Sequence, residues 1–515
     1  MIFVPYILFL VIILIFYNYK RIPSLQKINI INSYENIPRI YIQILLFSST
    51  VITQLYTLDI EVIDHDVNAF MIMGQEILRG NLPYEFMFDN KGPLLYFAYS
   101  IPAVFGKLHI VKIFNDLIFA LLICTMYSIS LNINRSSLKG LALLPPVYFA
   151  LYMSYPNGHP GYSEIYCLLF LSLGFLSLIK FENNKKFAFK SGMYFSISYL
   201  ISPSVVLFIV TFTLLIFIKA YKEKDTKVFV QYISGASIPV FLIMFIYAFN
   251  GSLNKLIYAL IIFPLEYTAG GSYEISTFFW YLRYYLSLEN YFSLGILTIF
   301  IFLLYIFRFR KSLLKLIKFN NDELLENVLF VLTFASIMTY FLTPQGWFHY
   351  LLYYFFFSSF MLLFIRVPKI NTFNTFLILL CVLYVLPFMA RDSLKIIRQI
   401  DVIESSYPIY NNYKILEESY NIESILALGH NTMLFYFNLP NASYLVHPNN
   451  YRDPEYLYGL INFGLLGEYE LNEIIENDEV DLIICDQNII DCTSLKNYKK
   501  LDINENYFLN KKKSP

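Results

Sequence analysis

Long apolar stretches alternate with short polar ones over the first three quarters of the chain, a pattern that predicts membrane-spanning helices. A helix needs ~20 apolar residues to cross the hydrocarbon core of a bilayer, and fewer where the protein thins it. The stretches that fit this length are 2–18, 39–58, 109–131, 138–154, 161–180, 188–201, 203–219, 229–249, 284–306, 326–343, 349–366 and 371–390. We therefore expect an α-helical, polytopic membrane protein with about twelve transmembrane helices within residues 1–390.

Two further elements are predicted between the second and third spans. The apolar run 93–106 is short and contains proline, so we expect it to be re-entrant or interfacial rather than spanning. Residues 67–79 have the periodicity of an amphipathic helix. Asp66 stands where an N-cap is expected, and Gly80 is a typical residue to end the helix.

The charge balance changes after residue 390, which indicates a domain boundary. Basic residues outnumber acidic ones in 1–390, and the reverse holds in 391–515. Within the second part, alternating patterns predict a small α/β domain. Its expected strands are 424–430, 442–448 and 480–486, and its expected helices lie near 412–420, 454–463 and 470–477. Cys485 and Cys492 can pair if this domain lies outside the cytosol, and the sequence leaves that open.

The distribution of Lys and Arg among the loops predicts the orientation. Loops such as 180–190, 219–227 and 308–318 are rich in basic residues and are therefore expected to be cytoplasmic. Segments 59–108 and 391–515 then lie outside, on a multi-pass protein of the cytoplasmic (inner) cell membrane. Hydrophobic residues make up 57% of the chain and charged ones 15%, which excludes disorder and argues against a soluble enzyme. The basic residues form short clusters between apolar runs, so we expect membrane lipids and no nucleic acid as partners.

Segment 59–108, called the acidic loop below, is the most unusual stretch. Its seven acids are Asp59, Glu61, Asp64, Asp66, Glu76, Glu85 and Asp89. Such a density of carboxylates beside the first spans is typical either of a solvated acidic face or of a base or cation site at the membrane surface. The residues alone leave both interpretations open.

A family resemblance appears in this loop. The pattern D-x13-G-x2-PY-x3-FD-x-KGPLLY over 66–96 resembles the first outer loop of GT-C glycosyltransferases, in particular the family 39-like branch related to protein mannosyltransferases and lipid A aminoarabinose transferases. GHPGYSE (158–164) and QGWFHYLLYY (345–354) are weaker matches. The resemblance implies a GT-C fold and transfer of a sugar, with inversion, from a polyprenyl-phosphate donor to a hydroxyl on a glycan, lipid or protein. Many members carry Glu after the Asp, where this chain has Val67.

The resemblance also implies roles for individual residues. Asp66 matches the catalytic position and is the expected base, because a carboxylate can deprotonate or orient an acceptor hydroxyl. Lys91 and His349 are the expected donor phosphate-binding residues, and Lys91 would hold the charge of the departing phosphate. The expected substrate-binding residues are Glu164, Tyr84, Asp89 and Asp64. Glu164 is expected to face the cavity and to position the acceptor or pair with Lys91. Metal ligands are unassigned, and a divalent cation is left open as a cofactor.

Two alternatives compete with a glycosyltransferase of this kind. A lipid-linked oligosaccharide polymerase or ligase has a similar many-span plan, but typically has a large late outer loop, and outer arginines and histidines rather than an acidic first loop. A flippase or transporter of lipid-linked saccharides would need polar residues at several span midpoints or symmetric halves. The chain has Asn115 and Asp116 within a span and no visible repeat.

Overall fold

The computed structural model describes residues 38–133 apart from 63, then 141–153, 159–180, 186–270, 321–342, 348–364, and 403–512 apart from 478, 488, 491, 493, 494, 502, 504 and 505. The described part is mostly helical and carries one small sheet near the C-terminus. Before residue 365 the helices are α1 Arg39–Gln54, α2 His65–Leu78, α3 Pro93–Ala103, α4 Leu108–Ile133, α5 Leu144–Tyr152, α6 Ser163–Lys180, α7 Lys186–Ile201, α8 Val206–Lys222, α9 Thr226–Phe249, α10 Leu253–Ile257, α11 Phe263–Gly270, α12 Asn321–Leu342 and α13 Leu351–Met361. A π-helical turn, Tyr258–Ile262, joins α10 to α11.

Five helical stretches of the described residues are long and apolar enough to cross a membrane. They are Arg39–Asp59, Leu108–Ile133, Ser163–Lys180, Pro203–Lys222 and Thr226–Phe249. The predicted spans 138–154, 188–201, 326–343 and 349–366 also contain helix, but α5, α7 and α13 are shorter and α12 is apolar only over Val328–Tyr340. The predicted spans 2–18, 284–306 and 371–390 lie outside the described residues.

The burial of the long helices is that of a membrane protein. Helix α7 packs between α6 and α9, and α6 also packs on α4. By contrast, α9 keeps large side chains such as Phe241 and Phe245 about two-thirds exposed. Contiguous exposed apolar surface is unfavourable in water and favourable in lipid. The α8–α9 side of the bundle is therefore the face suited to contact acyl chains.

The predicted elements of the acidic loop are present. The amphipathic helix is α2, and Gly80 beyond its end has φ +92°, a conformation that glycine adopts without strain. The run 93–106 contains α3, eleven residues long. That length is too short to span a bilayer. Ile101, Val104 and Phe105 near its end are exposed, as expected of an interfacial segment.

The C-terminal region is a small α/β domain. Its helices and strands are α14 Pro408–Ser419, β1 Ile425–Ala427, α15 Thr432–Phe437, α16 Pro454–Asn462, α17 Glu470–Glu476, β2 Leu482–Ile484, β3 Tyr498–Lys500 and β4 Tyr507–Asn510. The sheet order is β1-β2-β4-β3, with β1 parallel to β2 and the other pairs antiparallel. The prediction of a strand over 442–448 is wrong: that segment makes only single bridges, Asn441 to Ile425 and Leu445 to Phe88. Cys485 and Cys492 form a disulfide, with Cα atoms 6.1 Å apart.

One carboxylate attaches this domain to the membrane region. Glu61 accepts hydrogen bonds from the backbone N–H groups of Ile409 and Tyr410, each 2.8 Å, and from the Tyr436 hydroxyl, also 2.8 Å. Those N–H groups lie in the first turn of α14, where they have no partner within the helix. An anion is also favoured there by the helix dipole. Because Glu61 is buried, these bonds fix the domain against the start of the acidic loop.

Candidate functional site

The start of α2 places the two aspartates of the acidic loop. Asp64, not Asp66, is the N-cap: its Oδ1 accepts from the Asp66 N–H at 2.8 Å. The prediction that Asp66 caps this helix is therefore wrong, because the helix begins two residues earlier than its apolar periodicity indicated. Asp66 instead lies in the first turn with its carboxylate available to other groups.

His447 is the partner of Asp66. Its Nε2 lies 2.7 Å from Asp66 Oδ1, while a quarter of the Asp66 side chain remains accessible. Burial would raise the pKa of Asp66, but the His447 hydrogen bond and charge, with smaller contributions from Lys91 and His349, lower that pKa far below its ordinary value. Burial alone would lower the pKa of His447. The hydrogen bond to Asp66 and the charges of Asp66, Asp89 and Asp64 outweigh burial and raise that pKa. The two groups therefore form an ion pair at neutral pH.

The backbone that carries His447 is held by the acidic loop itself. Phe88 N–H donates to the Tyr444 carbonyl at 2.6 Å, and Phe88 bridges Leu445 in a parallel sense. Asn431 then donates through Nδ2 to the Val446 carbonyl at 3.2 Å and the His65 carbonyl at 3.4 Å. This explains the missing strand, because the segment pairs with Phe88 instead of joining the domain's sheet.

The turn before α3 places Lys91. Gly92 donates its N–H to the Ile201 carbonyl at 2.9 Å, and a Cβ there would meet the Leu200 carbonyl oxygen at 2.1 Å. Only glycine permits that close approach to the end of α7. The Tyr84 and Tyr96 hydroxyls both donate to the Lys91 carbonyl. The structure thus gives Tyr84, whose side chain is buried, a role in holding this turn; its predicted contact with substrate stays a prediction.

The Lys91 side chain lies among acids. Its Nζ is 3.7 Å from Glu164 Oε1, as expected from the sequence, and 5.4 Å from the centre of the Tyr350 ring. Burial alone would lower the pKa of Lys91, but Tyr350 and the neighbouring carboxylates outweigh it and raise that pKa well above its usual range. Glu164 is fully buried in the first turn of α6. A permanent cation is therefore held in the interior beside a predicted phosphate position.

Asp89 lies on the same turn and is also buried. Its Oδ2 accepts from the Tyr96 hydroxyl at 3.0 Å. Burial, and then the Asp66 charge, raise the pKa of Asp89. Asp66 and Asp89 thus differ in proton affinity, because His447 lies 2.7 Å from Asp66, whereas the charges of His447 and Lys91 only partly offset burial at Asp89. Of the two, Asp66 is the carboxylate held ionised.

Five of the six histidines of the chain form a group here: four interact with these acids, and His430 interacts with His65. The Tyr162 ring lies between His159, at 3.8 Å, and His349, at 5.3 Å, and the His159 Nε2 is 3.6 Å from Asp64 Oδ2. The buried Nε2 atoms of His159 and His349 have no hydrogen-bond partner among the described residues. Unsatisfied polar atoms that line a buried region favour a polar ligand there.

The other two histidines of the group are neutral. Burial, and then the charge of His447, lower the pKa of His65, whose ring centre is 6.3 Å from that of His447. Burial, and then His65, lower the pKa of His430 to about 4. No three His, Cys, Asp or Glu side chains within the described ranges are arranged to hold a metal ion, and this includes the combination of Asp64, His65 and Asp66.

Sequence reasoning thus located Asp66, Asp89, Lys91 and Glu164, which the fold brings into one buried charged cluster, and it missed His447. The signal for His447 was present in the sequence ASYLVHP, where a polar residue follows a β-rich apolar run. It was read as the end of a strand in a separate domain. No family model matches this chain, and neither does any curated protein.

Proposed function

We propose that this protein is a membrane glycosyltransferase of the GT-C type, which moves a sugar from a polyprenyl-phosphate donor to a hydroxyl acceptor on the outer face of the cell membrane. One observation carries the proposal: an ionised, partly accessible carboxylate, Asp66, interacts with a buried permanent cation, Lys91. A general base and an anion-stabilising cation are the two groups that this reaction needs. The motif over 66–96 supports the same assignment.

The chemistry gives each of the two groups a separate task. The acceptor oxygen attacks the anomeric carbon as the bond from that carbon to the phosphate oxygen breaks, and the bond electrons leave with the phosphate. Asp66 orients the acceptor hydroxyl and takes its proton through the oxygen that His447 leaves free. Lys91 stabilises the departing phosphate, together with His349, whose buried Nε2 offers a further donor. Attack opposite the leaving group inverts the sugar configuration.

The membrane context agrees with a lipid-linked donor. Five apolar helices, the exposed apolar face of α9 and the short helix α3 are suited to hold a long prenyl chain beside the site. The Cys485–Cys492 disulfide supports an extracytoplasmic C-terminal domain, because disulfides are rare in the cytosol. We therefore retain the arrangement of about twelve spans, with the acidic loop and residues 391–515 outside.

Transport of a lipid-linked saccharide is a second candidate, because one observation favours it. Asp116 is fully buried within α4, both of its carboxylate oxygens lack a hydrogen-bond partner among the described residues, and Lys112 lies one turn before it. Ionisable groups within a span are functional by default. A transporter would move the donor across the membrane without breaking the bond between sugar and phosphate.

The test is sugar transfer from a panel of radiolabelled polyprenyl-phosphate sugars, in membranes that contain wild type or Asp66→Asn. We expect wild type to release the polyprenyl phosphate and Asp66→Asn to lose at least about 10²-fold in rate, because the variant keeps the shape and lacks the base. Asp59→Asn is the matched control, since Asp59 is an exposed aspartate of the same loop. No transfer by wild type from any donor, or full transfer by Asp66→Asn, contradicts the proposal. Movement of intact donor across vesicles would favour transport instead.

A further inference from the structure

The C-terminal domain contacts the cluster through one charged side chain. His447 is buried, and its Nε2 lies within hydrogen-bond distance of Asp66 Oδ1. We infer that His447 is a positioning residue for the base, so that the membrane region and the C-terminal domain together assemble the machinery of sugar transfer. This inference rests on the proposed function and goes beyond it.

The geometry explains how His447 acts. An aspartate in the first turn of a helix has rotamer freedom, and its two oxygens are equivalent until something distinguishes them. The hydrogen bond to Oδ1 fixes the carboxylate plane and leaves Oδ2 for an acceptor hydroxyl. Charge-assisted hydrogen bonds of this kind are short and directional. A base held in one orientation loses less freedom when the acceptor binds.

His447 itself is placed by bonds from two sides. The acidic loop holds the preceding residues through Phe88, and Asn431 binds the Val446 carbonyl. Helix α2, which carries Asp66, is tied to the same domain: Asn68 donates to Thr432 at 2.8 Å and Gln75 donates to the Phe435 carbonyl at 3.1 Å. Asp66 and His447 thus lie on the two sides of one contact between α2 and the C-terminal domain. Movement of the domain would separate them.

The charged groups around His447 determine the pH dependence. Asp66 and Asp64 face it from the start of α2, Asp89 from the following turn, and the neutral His65 ring from α2. Burial raises the pKa of Asp66 and His447 lowers it. Removal of the imidazole must therefore raise the pKa of Asp66. As the pH falls, Asp66 then becomes protonated at a higher pH than in the wild type.

The first experiment measures kcat, donor KM and the pH profile for His447→Gln. We expect kcat to fall about 10- to 100-fold with little change in KM, and the acid limb of the profile to move up by about 1–3 pH units. His109→Gln is the matched control, because His109 makes the same kind of contact, 2.8 Å to Glu404, away from Asp66. A variant that is merely unfolded would lose activity without moving the limb. Unchanged kcat and an unmoved acid limb in His447→Gln would overturn the inference.

A second experiment does not depend on activity. Histidine-selective NMR of the purified protein should show the pKa of His447 falling in Asp66→Asn, because that variant removes the charge which stabilises imidazolium. If this pKa is the same in both proteins, the pair does not exist and the inference fails. If the pair is present while wild type transfers no sugar from any donor, the proposed function fails and, with it, the positioning role.

Discussion

Replacement of Lys91 by methionine separates the task proposed for this lysine, binding of the donor, from its contact with Glu164. Unit charges 3.7 Å apart attract by about 4.5 kcal/mol at an effective dielectric constant of ~20. Much of this offsets the cost of taking both ions out of water. Loss of one partner alone is more costly, about 3–5 kcal/mol, because the other charge remains buried. Because Glu164 is fully buried, we expect the loss of Lys91 to cost about 3–5 kcal/mol of stability.

Lys91→Met should therefore lower the melting temperature of the detergent-solubilised protein by about 3–5 °C. Glu164→Gln in the same chain removes the uncompensated charge, so the double variant should recover most of that loss. Donor binding should respond differently. If Lys91 holds the phosphate, KM for the donor rises about 10- to 150-fold in Lys91→Met and stays high in the double variant.

The assay is a double-mutant cycle of melting temperature and donor KM over wild type, both single variants and the double variant. Recovery of both quantities in the double variant would refute a direct contact of Lys91 with the donor, leaving Lys91 as a structural partner of Glu164. An unaltered melting temperature in Lys91→Met would refute the energetic argument, because it would mean that Glu164 takes up a proton or reaches water without cost. Lys255→Met serves as a control. Among the hydrogen bonds of the described residues, the Lys255 Nζ makes one, to the backbone carbonyl of Glu85 at 3.1 Å.

Two further predictions concern the C-terminal domain. Glu61→Gln should weaken the docking of the C-terminal domain on the acidic loop by about 1.5–3 kcal/mol, because one carboxylate oxygen that now accepts an amide N–H is replaced by an NH2 donor. The peptide 408–419 should then exchange hydrogen for deuterium about 10- to 100-fold faster. Unchanged exchange would show that Glu61 does not hold the domain. Cys485→Ser and Cys492→Ser should each destabilise the domain by about 2–3 kcal/mol through the loop that the bond closes. Both cysteines should resist maleimide labelling until the protein is reduced, in contrast to the free Cys124, and labelling without reductant would contradict the disulfide.

The fold was predictable wherever a local pattern determines it. Apolar length gave the helices at 39–58, 109–131, 161–180, 203–219 and 229–249, and amphipathic periodicity gave α2. The first and third predicted strands of the domain are present as β1 and β2. Strands β3 and β4 and helix α15 were missed, because short elements in polar sequence carry little periodic signal. The start of α2 was placed two residues late, since capping depends on side-chain geometry that apolar spacing does not report.

The site was predictable only as far as it lies on one continuous segment. Asp66, Asp89 and Lys91 fall within 66–96, and the cost of exposing a carboxylate to lipid near the outer end of a span indicated that Glu164 faces the interior, where it pairs with Lys91. His447 is hundreds of residues away in sequence and reaches Asp66 through a backbone bridge between Phe88 and Leu445. Such long-range pairing depends on how two regions dock. A run of alternating residues such as 442–448 fits a partner in its own sheet as well as one in another domain.

The charges of the site also explain why a second domain belongs there. Asp66, Asp89 and Glu164 are three acids in a poorly hydrated space, and the acidic loop supplies only Lys91 against them. Burial without a close counter-charge favours the protonated form of a carboxyl group, which is the direction in which the pKa of Asp89 is shifted, and a protonated carboxyl cannot serve as a base. His447 supplies a positive charge 2.7 Å from Asp66, whereas its charge and that of Lys91 only partly offset the burial of Asp89. Under the proposed function, the C-terminal domain therefore keeps the base ionised, and Lys91, which contributes less at Asp66, is the cation that would face the departing phosphate.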